Sequence, residues 1–465
     1  MLTKYAGQVT TLWDTVFPDC VRILPEDLSR LDQLLDDHRI LRRLEQHWGR
    51  ANLRVGRPSI AMATYLRLMV LKHSHGWGYE RLVYQVSDSF HLRLFCGIAI
   101  DAPVPDESTI RKLTRRFGPQ LLDDLIREVI KLAVKERGFR IWALRCDSTT
   151  QQADICYPTD SGLAAGATKA LARAARKLRG LMPELTRTVR DRSRAVNKLM
   201  RALTRSLRCR TGEAKEQVQR LTEQIAAQAR MAVGQAQKLL EEATSSCRPG
   251  GQAAGRAATG AISRLQELVV RSSKIIEQVR QRFAGQRIAN RLVSLHDPDA
   301  RPIRKGKLAQ PTEFGYTVQF GELTSSTKKG ARGLLLPPKL GVGSVSENIL
   351  LEGTAAEIKE LQLELAEAAF DGGFTLKATA ATMAELSGDI FIAGSKKNAG
   401  SKRTRRRRAS YRVGCEGRIA HLKREYGGRR SRLKGEEGAR IWSGWTALVY
   451  DVVTASRLQV KEPKS

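Results

Sequence analysis

The chain has 465 residues, long enough for two or three domains, and a formal net charge of +32. Charge of that size points to a polyanionic partner, and its apolar runs are too short to span a bilayer. The seven cysteines are scattered without a CxxC pair and the histidines are dispersed, which argues against structural zinc and against a disulfide framework.

Residues 1–137 read as an all-α N-terminal domain. The opening "MLTKYAGQVTTLWDTVF" lacks the continuous apolar core of a signal peptide, so the expected location is cytoplasmic. "LSRLDQLLDDHRILRRLEQHW" places apolar residues at helical spacing. Pro58 suits a helix start, Gly76 and Gly78 break the pattern, and a further helix is expected from about Tyr79 to Leu94. "PDESTIRKLTRRFG" predicts a short helix capped by Ser108 or Thr109. Short Arg-bearing helices joined by tight turns fit a helix-turn-helix, and this domain is expected to contact DNA; the other reading is a helical bundle packed on the next domain.

From Gly138 the pattern becomes mixed α/β. "FRIWALRCDSTT" reads as a strand ending in Asp147, and "ANRLVSLHD", "FGYTVQFGEL" and "GDIFIAGSKKNAG" read as further strands. "FDGGF" marks a sharp turn at Asp371, and helical signal resumes at about Val413. Residues 163–288 interrupt this domain with two or three long helices, a helical hairpin or coiled coil. Leu171, Leu178 and Leu185 lie seven apart within it. This insertion reads equally as a spacer or dimerisation element and as a DNA-binding arm.

The charge is localised. Residues 164–210 and 401–434 each hold fourteen Lys or Arg against two acids, as a surface tracking a phosphate backbone would. No Walker loop, Gly-x-Ser-x-Gly elbow or His-Glu-x-x-His occurs. Chemistry therefore falls to carboxylates: Asp147 after an apolar strand, Asp371 before two glycines, and Glu416 on a basic helix. Three converging carboxylates can hold two Mg²⁺ ions roughly 3.5–4 Å apart for attack on a phosphodiester. Mg²⁺, with Mn²⁺ as a substitute, needs only oxygen ligands. Asp297 and Asp299 read more simply as a capped turn, Asp154 and Asp160 as groups behind the ligands, and Trp442 and Trp445 as core.

"RCDSTT", "FDGGFT" and "YRVGCEGRIAHLKREYGG" resemble the three catalytic blocks of bacterial insertion-sequence DDE transposases with an RNase H-like core. "GRPSI…GWGYERLVYQVSDSFHLRLFCGI…PDESTIRKL" resembles the helical transposase domain that precedes that core, and the long insertion is most similar to the ISNCY group. The resemblance implies an RNase H-like catalytic core over 138–162 and 289–455, the helical insertion at 163–288, and a tail at 456–465. It implies Asp147, Asp371 and Glu416 as metal-binding catalytic residues, with Arg412 four before the Glu and Lys423 seven after it. The Tyr usual three positions before that Arg is Ala409 in this chain, and Tyr411 is adjacent instead. Phosphate contacts are expected from Arg405, Arg406, Arg407, Arg408, Arg412, Lys423, Arg429, Arg430, Lys305 and Lys307. The implied partners are double-stranded DNA (the element's inverted-repeat ends and the target) and further copies of the chain, as a homodimer or larger assembly in the bacterial nucleoid. The other readings are a non-catalytic architectural DNA-binding protein and an inactive transposase remnant.

Overall fold

A computed structural model describes residues 2–3, 16, 18–48, 60–246, 255–305 and 311–458. Two compact units are present: residues 1–154 with 303–465, and residues 155–302.

The first unit begins with helices, as its apolar periodicity requires. They are α1 (Asp19–Arg22), α2 (Glu26–Leu35), α3 (His38–Trp48), α4 (Met62–Ser74), α5 (Tyr79–Asp88), α6 (Phe90–Cys96), α7 (Glu107–Phe117) and α8 (Gln120–Glu136). A two-residue parallel pairing joins β1 (Leu2–Thr3) to β2 (Ile60–Ala61). The single helix expected over Tyr79–Leu94 is two. Ser89 takes an extended backbone and its hydroxyl caps α6 by accepting the Leu92 N–H. The cap of α7 is Asp106 rather than Ser108 or Thr109; Asp106 accepts the Thr109 N–H at 2.9 Å, and both hydroxyls donate to its carboxylate. An ionised carboxylate is the better acceptor at a helix N-terminus.

The mixed sheet follows. β3 (Ala143–Ala153) is its centre. β5 (Thr312–Thr324) runs antiparallel to β3, and β8 (Leu365–Phe370) runs parallel on its other side, followed by β9 (Ser387–Ile392), also parallel. β4 (Arg301–Arg304) lies at the boundary of the two units. β6 (Gly333–Leu335) and β7 (Lys339–Val342) pair with the far edge of β5. The short β10 (Arg430–Ser431) runs parallel to the end of β3. Helices α13 (Glu347–Glu360), α14 (Leu376–Met383), α15 (Lys402–Glu425) and α16 (Gly435–Ser456) complete the unit, taking those numbers after the four helices of the second unit.

Helix α16 is apolar almost all round and is correspondingly buried, with Trp445, Leu448, Val449 and Val452 in the core. Trp442 and Trp445 are both buried, as the helical spacing predicted. Helix α15 starts at Lys402, earlier than expected from sequence. Ser401 caps it by accepting the Thr404 N–H, and its Arg-rich first turns carry no apolar periodicity that would have revealed them.

The second unit is a bundle of α9 (Asp160–Leu181), α10 (Ser193–Ser206), α11 (Gly212–Ser246) and α12 (Arg256–Phe283). Leu171, Leu178, Leu239 and Leu265 form one apolar cluster; Val196, Ile225 and Ile275 form another. Leu185 is also buried, but beyond the end of α9. "ANRLVSLHD" is not a strand. The Gln278 side chain satisfies both backbone groups of Leu292, and Arg271 donates to the Leu295 carbonyl, so the segment needs no sheet partner. Asp160 is buried between Arg282 and Arg291, and the Asp297 N–H donates to Ser294 Oγ. No helix among the described residues is long and apolar enough to cross a membrane.

Candidate active site

The strand expected to end at Asp147 does not end there: β3 continues against β5 to Ala153. The pairing with β8, however, stops one residue earlier. Cys146 is opposite Phe370, the last residue of β8, and Asp371 follows it. Partners in a parallel ladder point to the same face, so Asp147 and Asp371 come next in line at one end of the β3–β8 seam. Asp371 opens a turn whose closing bond runs from the Phe374 N–H to the Asp371 carbonyl.

Glu416 reaches this place from α15. That helix packs on β3 and β8 through Tyr411, Cys415, Ile419 and Leu422. A buried charge network fixes its register. Arg145 on β3 pairs with Glu322 on β5 at 2.7 Å and donates to the Tyr411 carbonyl of α15 at 3.0 Å. Arg418 on α15 pairs with the same Glu322 at 3.0 Å. Glu322 is fully buried, and two guanidiniums with the Gly333 N–H satisfy it. Gly414 makes this packing feasible: a Cβ there would lie 1.9 Å from Arg145 Nη1. Tyr411 is buried, with its hydroxyl on Thr324, so it braces the helix rather than facing the acids.

Arg412 joins two of the acids. Its Nη1 lies 3.0 Å from Asp371 Oδ1 and 2.8 Å from Glu416 Oε1. Asp147 is buried beside them. Burial raises its pKa to about 6, helped by the charges of Asp371 and Glu416, and opposed by the Ser148 N–H and Arg412.

A fourth acid, Glu347, was not anticipated from sequence. It stands in the first turn of α13, whose chain entry is tied to the sheet by Gln319 donating to the Glu347 carbonyl. Burial pushes its carboxyl up to about 7, with Asp147 and Asp371 raising it further and Lys305 lowering it. Its Oε2 is buried and has no hydrogen-bond partner. Gly373, in the turn after Asp371, leaves it room; a Cβ there would sit 2.3 Å from that oxygen. The Ser-Glu pair before an apolar run marks a helix start in the sequence, but nothing local links it to Asp147.

The expected phosphate contacts are divided by their surroundings. Arg405 and Arg406 are exposed on α15, and Arg429 is exposed after it. Arg407 bonds Thr327 and Glu367, whereas Arg408 is only 4% exposed and is held by Asp389 and Glu367. The Arg408 guanidinium is thus committed within the unit, contrary to its expected place on a phosphate-facing surface. Arg430 lies 3.5 Å from Asp154, Lys423 is half-buried, and Lys305 lies near Glu347. Lys307 falls outside the described residues.

The donors are all oxygen, the chemistry of a hard divalent cation, and the partnerless Glu347 oxygen is what a ligand would complete. Among the described residues, no three His, Cys, Asp or Glu side chains as arranged are close enough together to hold an ion. The Arg412 guanidinium fills the space between Asp371 and Glu416.

Residues 19–116 match the family model described as Transposase domain (DUF772). The chain is 31% identical over 164 residues to the "Uncharacterized protein ORF8 in nfe locus" of Rhizobium meliloti, an alignment covering 32% of this chain and 79% of the relative. No solved structure gives a significant match.

Proposed function

We propose that this chain, which belongs to the insertion-sequence transposases, is a DDE enzyme whose Asp147, Asp371 and Glu416 direct cleavage and transfer of DNA strands at its element's ends. The observation that carries the reading is the convergence of the three at the end of the β3–β8 seam, two by strand register and one from the helix packed across it. A central β3 with an antiparallel partner on one side and parallel partners on the other supports an RNase H-like core. The ISNCY-like grouping rests on the long helical unit within that core.

Asp147, Asp371 and Glu416, with Glu347 behind them, would hold Mg²⁺ or Mn²⁺. When bound, such a cation neutralises charge at the phosphodiester oxygens and activates the attacking oxygen. The protein's own part is positioning. Strand register fixes Asp147, the Asp371 turn places its carboxylate beside it, and the Arg145–Glu322–Arg418 network fixes the helix bearing Glu416. Exposed Arg405 and Arg406 would hold the DNA backbone on the same helix. A first displacement at phosphorus frees a 3′-hydroxyl at the element end; that hydroxyl then displaces an oxygen in the target strand. Both ends must be held at once, which calls for a dimer or larger assembly on DNA.

Asp147→Ala, Asp371→Ala and Glu416→Ala are expected to abolish Mg²⁺-dependent cleavage of DNA carrying the inverted repeats while leaving DNA binding intact. Full cleavage by any one of them refutes the assignment. The alternative, an architectural DNA-binding protein or inactive remnant, draws on Arg412 occupying the space between two of the acids. It predicts DNA binding without any cleavage by the unaltered chain.

A further inference from the structure

A second polar site lies in the first unit, built from the end of α4, the turn after it, and the segment between α15 and α16. Lys72 on α4 is 1% exposed. Its Nζ stands 4.2 Å from the Trp442 ring and 4.7 Å from the Tyr79 ring, with His73 Nε2 at 3.4 Å. None of these is an anion, and among the described residues no carboxylate is ion-paired with Lys72. The nearby charge is of the same sign: Arg432 and burial together hold the Lys72 pKa down to about 7, burial being the larger cause. Arg432 reaches over the turn, so that a Cβ on Gly78 would lie 3.7 Å from its Nη1.

These cations border a cavity of about 310 Å³, at the small end of the range for ligand pockets. Lys72, His73, Trp77, Arg429, Arg430, Arg432 and Trp442 line it, and among the described residues no Asp or Glu does. Of the wall cations, Arg430 has an acid within 3.5 Å, Asp154, which is not itself part of the wall. Trp77 stacks on His75 at 4.3 Å, which sets a flat aromatic surface at the same turn. A desolvated Lys72 ammonium beside the Arg432 guanidinium, with no acid among the described residues paired to either, is unfavourable until an anion enters. Guanidinium forks match the oxygens of a phosphate, and an ammonium adds a point charge. An aromatic face beside them suits the base or sugar attached to it.

We propose that this cavity is a phosphate-binding site, taking a phosphate group between Lys72, Arg429 and Arg432 against the aromatic wall. The site is separate from the acid cluster, and the inference does not rest on the transposase reading. The phosphate could belong to a nucleic-acid strand or to a free nucleotide, and the test separates the two.

The full chain is melted in inorganic phosphate and in sodium chloride at equal ionic strength. Phosphate is expected to raise Tm above the chloride value. That gain should vanish in Arg432→Gln, whose side chain is exposed, and in Lys72→Met, which keeps the aliphatic packing. It should persist in Arg205→Gln, a control in the other unit. Equal melting in the two salts, or an undiminished phosphate gain in both Arg432→Gln and Lys72→Met, overturns the proposal. The source follows from DNA affinity measured against salt. A strand phosphate predicts that Arg432→Gln lowers the slope of log K on log salt by about 0.9. A free nucleotide predicts an unchanged slope, with a nucleoside monophosphate stabilising the wild-type chain and failing to stabilise Arg432→Gln.

Discussion

Cys146 stands across from Phe370 in the parallel ladder, and the next residue on each strand is an aspartate. Neither aspartate is distinctive alone, since Asp is common at turns. Their register makes them neighbours, and Asp147 registers the charge of Asp371. Glu347 and Glu416 then close on the pair from two different helices.

Glu347→Gln tests whether the fourth acid belongs with the other three. The amide preserves volume and the start of α13 but removes the charge and weakens the oxygen as a ligand. Residues that support a metal site commonly contribute 10–100-fold to metal affinity or activity. A loss of about that size is expected in Mn²⁺ affinity by calorimetry, with a parallel fall in cleavage. Unchanged Mn²⁺ affinity would leave Glu347 as a buried structural acid only.

Much of this site was legible in the sequence, because Asp147, Asp371 and Glu416 sit in short blocks with strong local signals. An apolar strand precedes the first, a Gly-Gly turn follows the second, and a basic helix surrounds the third. Glu347 was not legible, since its role depends on a fold-back from β7 that leaves no local periodicity. The buried Arg408 was equally hidden: within a run of four arginines, sequence gives no means of telling which one turns inward to Asp389 and Glu367. The false strand at 289–297 had strand-like composition, but the polar side chains that satisfy its backbone come from α12, far from any pattern within the segment.

Gly414 and Gly417, three residues apart on α15, should respond in opposite directions to alanine. At Gly414 the added carbon meets the Arg145 guanidinium, which cannot swing away without breaking its bonds to Glu322 and Tyr411. Overpacking of this kind costs about 1–3 kcal/mol, and Glu416 would shift with the helix. At Gly417 nothing lies within 4 Å, so the helix gains up to about 1 kcal/mol from alanine. Chemical denaturation of both variants decides the matter. A Gly414→Ala protein as stable as Gly417→Ala would show that the Arg145 network does not hold α15 in register.

Asp451 should make stability depend on pH through a single buried carboxyl. One of its oxygens accepts the Leu335 N–H at 2.7 Å, and the other is buried with no hydrogen-bond partner. Burial drives its pKa well above the ordinary carboxylate range, with the Glu322 charge adding to the rise. The folded chain therefore keeps this proton after the unfolded chain has released it near pH 4. The contribution to stability is full below that pH and is lost as pH rises through the folded pKa. Asp451→Asn retains the acceptor for Leu335 without the titration. Relative to wild type it should be more stable at pH 8 than at pH 4, as read from unfolding midpoints at the two values. A constant difference between the two proteins across that range would mean that Asp451 is ionised in the fold.

The arginine run on α15 offers a sharper separation of binding from folding. Arg405 and Arg406 are exposed, and each phosphate contact on a DNA duplex adds about 0.9 to the slope of log affinity against log salt. Replacing both by Gln is expected to lower that slope by nearly two and to leave Tm close to wild type. Arg408→Gln should do the reverse. Its guanidinium is buried with Asp389 and Glu367; its loss leaves the half-exposed Asp389 without this partner and Glu367 with Arg407 alone, a change that lowers Tm but costs less than the several kcal/mol of a fully enclosed pair. Thermal melting and fluorescence anisotropy at several salt concentrations distinguish the two variants. If Arg408→Gln melts like wild type and lowers the salt slope by the same step as one exposed arginine, its place in the fold is not what holds it, and the whole run serves the DNA backbone alike.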